Sequence, residues 1–199
     1  MNFLTKYKLI LASKSPRRKE LLENARIPFE IRLKEVEETY PPGMIIHDVP
    51  KHIARLKAEP FQSLKEDEVL LTADTMVVLG TEILGKPKDR DNAFEILKKL
   101  SGAEHTVITG VHLKSNTKDH TFDQHTEVVF YPLTDKEINY YIDEFEPFDK
   151  AGAYGIQDWI GLCKVNGLRG SYSNVMGLPM ERLYHELRDF TARLDRSNN

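Results

Sequence analysis

The stretch Lys8-Leu9-Ile10-Leu11-Ala12-Ser13-Lys14-Ser15-Pro16-Arg17-Arg18-Lys19-Glu20-Leu21-Leu22 joins an apolar run to an amphipathic one through a short polar turn. The run from Lys8 to Ser13 is typical of a short buried strand. Ser15 can cap a helix, and Pro16 suits the first helical position, where its missing N–H costs nothing. The stretch therefore predicts a strand that passes directly into a helix.

Further apolar patterns alternate between the strand and the helix period along the rest of the chain. Strands are predicted at 29–33, 69–73, 76–79, 106–114 and 121–131, and a glycine-broken strand pair at 161–171. Helices are predicted after Asp48, after Asp89, after the capping box that begins at Thr134, and from near Pro179. The alternation favours an α/β fold with a mixed sheet.

Size and composition are those of a folded globular protein. The chain has 199 residues, of which 40% are hydrophobic and 30% charged. This length suits one domain or two closely packed lobes, and we predict a single domain over residues 1–199. The formal net charge of -3 argues against a nucleic-acid binder, since such binding depends on neutralising phosphates.

Cysteine content and hydropathy indicate an ordinary cytoplasmic protein. Cys163 is the single cysteine, so neither an intrachain disulfide nor a cysteine-rich zinc site is possible, and we expect it to be buried and inert. No apolar run approaches the ~20 residues that span a bilayer, and no long apolar segment precedes Lys14. We therefore expect no membrane association.

The turn at 13–18 is a candidate phosphate site. A strand-to-helix turn leaves backbone N–H groups unpaired, and Arg17 and Arg18 place two cations where the helix dipole disfavours them unless an anion is bound. An exposed basic helix start is the alternative. A second basic candidate, Lys86, lies in the sequence Gly80-Thr81-Glu82-Ile83-Leu84-Gly85-Lys86-Pro87. Pro87 replaces the hydroxyl residue of a P-loop, so that motif is rejected, and Lys86 is either a phosphate contact or an exposed lysine.

Two groups of acids could hold a metal or act as a base. Glu35, Glu37 and Glu38 follow a predicted strand, and Asp74 is expected at the end of a buried one. A carboxylate in that position is costly unless it is paired or metal-bound, and carboxylates suit Mg²⁺ or Mn²⁺ on a phosphate chain. The alternatives are a solvated charge run for the glutamates and a turn or cap residue for Asp74.

Two late segments combine small residues with hydrogen-bonding side chains, at 149–157 and 171–179. Small residues let the backbone approach a ligand closely, and Gln157 can both donate to and accept from a nucleobase edge. On these residues alone, glycine-rich loops with turn chemistry remain the simpler explanation.

Taken in order, these segments resemble the Maf family of nucleoside triphosphate pyrophosphatases. The matching strings are Leu11-Ala12-Ser13-x-Ser15-Pro16-Arg17-Arg18-x-Glu20-Leu21-Leu22, Ala73-Asp74-Thr75, Gly85-Lys86-Pro87, Leu100-Ser101-Gly102, Thr109-Gly110-Val111 and the two late segments. Each string is short, but the ordered set covers nearly the whole chain. The segment Lys150-Ala151-Gly152-Ala153-Tyr154-Gly155-Ile156-Gln157 resembles the branch that acts on dTTP and UTP.

The resemblance implies a fold, a reaction and a set of site residues. The implied fold is Maf/ITPase-like, an elongated mixed β-sheet flanked by helices with two lobes around a central cleft. The implied reaction is hydrolysis between the α- and β-phosphates of dTTP or UTP, with CTP and modified pyrimidine nucleotides as further candidates, in the presence of Mg²⁺ or Mn²⁺. Matching motif positions make Asp74 the catalytic proton acceptor and, with Glu38, a metal ligand.

The implied substrate-binding residues are Ser13, Arg17, Arg18, Lys57, Thr75, Lys86 and Gln157. The family also suggests a homodimer.

Two other functions remain open at this stage. The chain could be a non-catalytic nucleotide-binding regulator of cell division and septum formation, or a pyrophosphatase for 7-methyl-GTP. The sequence departs from the family pattern at Asp158 and Trp159, where a glycine-led stretch is expected, so the base pocket is predicted to differ locally. Pro60, just after the helix that carries Lys57, is a second departure.

Overall fold

A computed structural model describes residues 4–196 of the protein. The strands of this part of the chain are β1 (Lys8–Leu11), β2 (Phe29–Ile31), β3 (Glu68–Leu79), β4 (Glu82–Leu84), β5 (Glu104–Lys114), β6 (Asp119–Phe130) and β7 (Val165–Arg169). Its helices are α1 (Pro16–Asn24), α2 (Val49–Ala58), α3 (Arg90–Leu100), α4 (Asp135–Phe145), α5 (Trp159–Lys164), α6 (Tyr172–Met176) and α7 (Met180–Asp195). None of these helices has the length and apolar character needed to cross a membrane.

The strands form one mixed sheet in the order β2-β1-β3-β5-β6-β7, and β4 pairs with β3 beside this path. Strand β1 is parallel to both of its neighbours, so Leu11 lies opposite Ile31 and Leu71. Strands β4 and β7 run antiparallel to β3 and β6. The predicted α/β architecture, a mixed sheet flanked by helices, is confirmed.

The fold divides into two compact units. Of the described residues, the first unit contains 4–74, 109–124 and 177–196, while the second contains Thr75–Ile108 and His125–Met176. Strands β3, β5 and β6 therefore contribute residues to both units. In β3 the division falls between Asp74 and Thr75.

The core of the first unit lies between its strands and helices α1, α2 and α7. Leu11 of β1 and Leu71 of β3 are completely buried, as is Leu22 of α1. Helix α2 packs very closely on β5, because a Cβ atom at Gly110 would lie 2.3 Å from the carbonyl carbon of Pro50. A glycine at 110 is therefore needed to seat the start of α2.

The second unit is built around helices α3 and α4, whose starts follow from the sequence. The Asp89 side chain accepts a hydrogen bond from the Asn92 N–H at 2.8 Å. Thr134 and Glu137 form the predicted capping box at the start of α4. Leu97, Leu100, Ile138 and Tyr141 are buried along the apolar faces of the two helices.

The segment after Gln157 differs from its sequence prediction. Instead of a strand pair over 161–171, residues Trp159–Lys164 form helix α5 and only Val165–Arg169 form a strand. Gly161 serves close packing rather than breaking a strand, because a Cβ atom there would lie 2.0 Å from the Ile156 carbonyl oxygen. Cys163 is exposed on this helix, so the prediction that it is buried was wrong.

Candidate active site

The turn that follows β1 lies beside the middle of β3. Because Leu11 is paired with Leu71 in the parallel register, the residues just beyond Leu11 lie level with Ala73 and Asp74. Asp74 was expected at a strand end, and that expectation was wrong, because β3 continues without a break from Glu68 to Leu79. The polar pair Asp74-Thr75 therefore interrupts the apolar sequence pattern but not the strand. The Asp74 carboxylate is carried by the backbone of a continuous strand.

Arg18 fastens this turn to two other segments of the first unit. Its Nε donates to the Gly177 carbonyl at 2.8 Å, and its Nη1 donates to the Ala73 carbonyl at 2.9 Å. Nη1 also lies 3.2 Å from the Ser13 hydroxyl oxygen, which accepts a further bond from the Ser15 N–H at 3.2 Å. Ser13, rather than the predicted Ser15 side chain, thus organises the start of α1, where Ser15 makes no capping bond.

Lys57 of α2 joins two carboxylates. Its Nζ lies 2.8 Å from Asp74 Oδ1 and 3.0 Å from Glu38 Oε2. The side chains of Lys57 and Asp74 are each 16% exposed, whereas that of Glu38 is 52% exposed. Helix α2 is tied to β3 two residues before Asp74, where the Thr72 hydroxyl donates to the Ala54 carbonyl at 2.6 Å. The geometry places a largely buried carboxylate, an ammonium group and a half-exposed carboxylate side by side.

Burial and the neighbouring charges have opposing effects on the pKa of the Arg18 guanidinium. Burial lowers the pKa of Arg18, and the neighbouring Arg17 adds to that lowering. The carboxylates of Asp74 and Glu38 raise the pKa and so favour the charged form. An arginine remains protonated under such opposing effects, so Arg18 supplies a fixed positive charge next to Asp74.

The donor set suits a hard divalent cation only in part. Among residues 4–196, no three His, Cys, Asp or Glu side chains are grouped as a complete metal site. Asp74 and Glu38 nevertheless place carboxylate oxygens within 3.0 Å of one ammonium nitrogen. One or two carboxylates, completed by substrate phosphates and water, is the usual protein contribution to Mg²⁺ sites. The residues therefore fit a metal that arrives with a phosphate chain.

Three predicted site residues belong to the second unit. Thr75 is half-buried on β3, and Lys86 is exposed in the loop after β4. That loop is tied to the segment that leads to Gln157, because the Gly152 N–H donates to the Gly85 carbonyl at 3.1 Å. Gly152 has a φ of +71° and packs on Val77 of β3, where an added Cβ would lie 2.9 Å from a methyl group. Lys86 and the Gln157 segment are therefore neighbours within this unit.

Gln157 carries an unsatisfied polar atom. Its Oε1 is buried and has no hydrogen-bond partner within the described part of the chain. Buried side-chain oxygens are nearly always bonded, so an unpaired one in a loop of small residues indicates a place where a donor from a ligand can bind. This observation favours the base-recognition role over the simpler turn interpretation.

The turn that carries Gln157 is held by a residue that the sequence did not identify as functional. The buried hydroxyl of Tyr141 accepts from the Gly155 N–H at 3.0 Å and donates to Asp158 Oδ2 at 2.7 Å. Asp158, with Trp159, was predicted to be a local departure from the family pattern. Its carboxylate is thus a structural partner of a core tyrosine.

The structure connects the site residues in two groups. Bonds and ion pairs join Ser13, Arg18, Glu38, Lys57 and Asp74 in the first unit, and Arg17 lies half-buried in the first turn of α1 beside them. Thr75, Lys86 and Gln157 lie in the second unit. Sequence reasoning missed the carbonyl groups of Ala73 and Gly177 that hold Arg18, since backbone acceptors leave no compositional signal.

This arrangement is accompanied by similarity along nearly the whole sequence. Residues 8–190 match the Maf family, described as Maf-like protein. The chain belongs to the Maf family.

It is 48% identical over 185 residues to a protein of Flavobacterium psychrophilum, covering 92% of this chain and 95% of that one. It is 50% identical to a protein of Phocaeicola vulgatus, covering 93% and 97%, and 46% identical to a protein of Porphyromonas gingivalis, covering 94% and 96%. Each of these relatives is named dTTP/UTP pyrophosphatase.

Similarity to solved structures is weaker. A HAM1 protein from Coxiella burnetii matches with a TM-score of 0.39 and 15% identity, over 62% of this chain and 73% of that chain. The family assignment depends on the sequence comparisons, which confirm the resemblance seen in the motifs.

Proposed function

We propose that this protein is a nucleoside triphosphate pyrophosphatase that hydrolyses dTTP and UTP between the α- and β-phosphates. The products are the nucleoside monophosphate and pyrophosphate. The observation that carries the proposal is the Asp74–Lys57–Glu38 cluster beside Arg18, in a chain whose relatives carry that activity in their names. The cluster unites a base with fixed positive charge, as attack on a polyanion requires.

Asp74 is assigned the role of general base. It takes a proton from the attacking water, whose oxygen forms a new bond to phosphorus while the bridge between the α- and β-phosphates breaks. Its position inside β3 and its bond to Lys57 fix the carboxylate in one orientation, and 16% exposure leaves it accessible to water. Proton transfer by a positioned group of this kind contributes about 10²–10⁴-fold to rate.

The cations are assigned to substrate charge. Arg17 and Lys57 would bind the triphosphate directly, and Ser13 would offer its hydroxyl at the turn. Arg18 donates to the carbonyl groups of Ala73 and Gly177, so it would act as much by holding the turn in place as by its charge. Such preorganised charges stabilise a transition state without the cost of reorienting solvent.

A divalent cation, Mg²⁺ or Mn²⁺, would be held by Asp74 and Glu38. Such an ion supplies Lewis-acid neutralisation of the phosphate charge. Both carboxylates are paired with Lys57 in this structure, so its ammonium group lies beside the oxygens that would hold the ion. From that position Lys57 would add positive charge to the phosphate chain.

The residues of the second unit are assigned to recognition of the nucleotide. Gln157 would read the pyrimidine edge, because a carboxamide both accepts and donates and its buried Oε1 lacks a partner within residues 4–196. Lys86 would contact phosphate as a point charge, and Thr75 would contact the substrate through its hydroxyl. The homodimer and the cytoplasmic location remain predictions.

The proposal is tested with a nucleotide panel in Mg²⁺ or Mn²⁺, following pyrophosphate and orthophosphate separately. We expect pyrophosphate from dTTP and UTP. Orthophosphate would show cleavage at the γ-phosphate and refute the mechanism. Binding of dTTP without any product would favour the non-catalytic regulator, and preferential turnover of 7-methyl-GTP would place the chain in the other branch.

The base is tested with Asp74→Asn, which should lower kcat by at least about 10²-fold while nucleotide binding persists. The matched control is Asp67→Asn, the same change at a surface aspartate paired with Lys8. An undiminished rate in the folded Asp74→Asn protein would refute the assignment of the base.

A further inference from the structure

We propose that Tyr141, acting through Asp158, is a positioning residue that sets Gln157 for pyrimidine selection, an inference that rests on the proposed function. The observation behind it is the pair of hydrogen bonds by which one buried phenol holds both flanks of the turn that carries Gln157.

Tyr141 is a rigid anchor. Its side chain is completely buried on α4, and its ring stacks on Phe145 with centroids 5.1 Å apart. A buried tyrosine hydroxyl needs polar partners, and here it accepts from Gly155 and donates to Asp158. The hydrogen bond to a carboxylate is of the stronger, charge-assisted kind.

The turn between these two contacts is closed on itself. The Asp158 N–H donates to the Gly155 carbonyl at 3.1 Å, with Ile156 and Gln157 between them. The Asp158 carboxylate lies over Gly155 so closely that a Cβ there would be 2.5 Å from Oδ2. Lys150 Nζ, 4.0 Å from the same carboxylate, adds a compensating charge. Asp158 therefore holds the turn through its own backbone bond to Gly155 and through the contact of its carboxylate with Gly155.

The chain on either side of the turn is fixed as well. Upstream, the Tyr154 hydroxyl bonds His105 Nε2 at 2.7 Å in a buried aromatic group. Burial lowers the pKa of His105 to about 4, so this contact is made by a neutral imidazole near pH 7. Downstream, Gly161 lies directly against the Ile156 carbonyl. The backbone at Gln157 thus has little freedom, and Tyr141 is the side chain that links the two flanks.

Selection of a base by one carboxamide depends on this rigidity. Gln157 can discriminate only if its amide meets the pyrimidine edge at a defined place, since a mobile side chain adapts to several bases at an entropic cost. A glycine at 158 would offer no acceptor to Tyr141. In this chain the Tyr141–Asp158 bond supplies the fixation.

The experiment combines Tyr141→Phe with Gln157→Ala. Tyr141→Phe removes both hydrogen bonds of the phenol and should raise KM for dTTP and UTP about tenfold, with kcat changed by less than about twofold. In the Gln157→Ala background the same substitution should leave KM nearly unaltered, because the side chain it positions is absent. A purely structural defect would reduce kcat and lower Tm alike in both backgrounds.

Two further variants and a control complete the design. Asp158→Asn retains an acceptor oxygen for the phenol and should keep KM near that of the unaltered protein, whereas Asp158→Ala should reproduce the effect of Tyr141→Phe. Tyr131→Phe removes a half-exposed phenol elsewhere in the second unit and should change neither constant.

The outcomes separate the two proposals. Additive effects of Tyr141→Phe and Gln157→Ala on KM, or an unaltered KM in Tyr141→Phe, would overturn the positioning role while leaving the pyrophosphatase function intact. If the unaltered protein releases no pyrophosphate from any pyrimidine triphosphate, the proposed function fails and the positioning role with it.

Discussion

The ion pair between Glu68 and Arg32 should make the stability of the protein depend on pH in a measurable way. Glu68 begins β3, the strand that carries Asp74, and its side chain is 3% exposed. Arg32 donates to both carboxylate oxygens at 2.8 and 3.0 Å, and the Lys65 N–H adds a bond at 3.1 Å. The hydrogen bonds from Arg32 hold the pKa of Glu68 at about 2, below its ordinary 4.5.

The size of the effect follows from linkage. At 1.36 kcal/mol per unit, the lowered pKa corresponds to about 3 kcal/mol of stability at pH 7, or about 2 kcal/mol once solvent screening on the exposed Arg32 side is allowed for. Since the folded pKa lies below the unfolded one, this contribution is complete above pH 4.5 and is lost as pH falls toward 2. By pH 3 about half of it or less should remain.

Urea unfolding of Glu68→Gln and of the unaltered protein between pH 7 and pH 3 tests this. The difference in unfolding free energy should be about 2–3 kcal/mol at pH 7 and should shrink as the solution is acidified, while other carboxylates cancel in the comparison. Glu66→Gln, at an exposed neighbouring position, is the control. A difference that is equally large at pH 7 and pH 3 would show that shape, not charge, makes Glu68 important, and would refute the reasoning.

Three other perturbations have expected outcomes. Gly110→Ala should destabilise the protein by about 1–3 kcal/mol, because the new Cβ meets the backbone of Pro50; an unaltered thermal midpoint would contradict this close packing. Arg18→Lys should cost about 1–3 kcal/mol, since an ammonium cannot donate to Gly177 and Ala73 with the geometry of a guanidinium, and equal unfolding curves would refute the fastening role. EDTA should abolish pyrophosphate release and added Mg²⁺ or Mn²⁺ should restore it, whereas full activity in chelator would exclude the proposed cation.

Helix-capping residues and apolar runs correctly predicted the helices and strands that depend on neighbouring residues in the sequence. The capping box at Thr134, the helix after Asp89 and the passage from strand to helix at 8–22 all appear as expected, because each depends on residues within one or two turns. The strand that carries Asp74 was cut short in prediction because a polar pair interrupts its apolar run. The parallel partner at Lys8–Leu11 and the antiparallel partner at Glu82–Leu84 keep that backbone extended on both sides of the interruption.

The candidate site residues could be named from motifs in the sequence, but their contacts could not. Lys57 and Asp74 are 17 residues apart and meet because α2 is seated by Gly110 and tied to β3 by Thr72. Neither constraint is visible in a spacing pattern. Motifs gave the candidate side chains, and only the packing shows that Lys57 pairs with both carboxylates.

Tyr141 shows how a sequence pattern can predict that a contact exists without identifying the partner. Its place with Ile138 and Ile142 on one face of α4 predicts a buried residue, and it is buried. Burial of a phenol in an apolar stripe also implies that its hydroxyl has found polar partners, because leaving it unpaired would cost about 1–3 kcal/mol. The pattern therefore predicts that some polar group lies against that face of the helix. Which group it is depends on the fold, which brings Gly155 and Asp158 to the hydroxyl and so couples a core residue to the turn that carries Gln157.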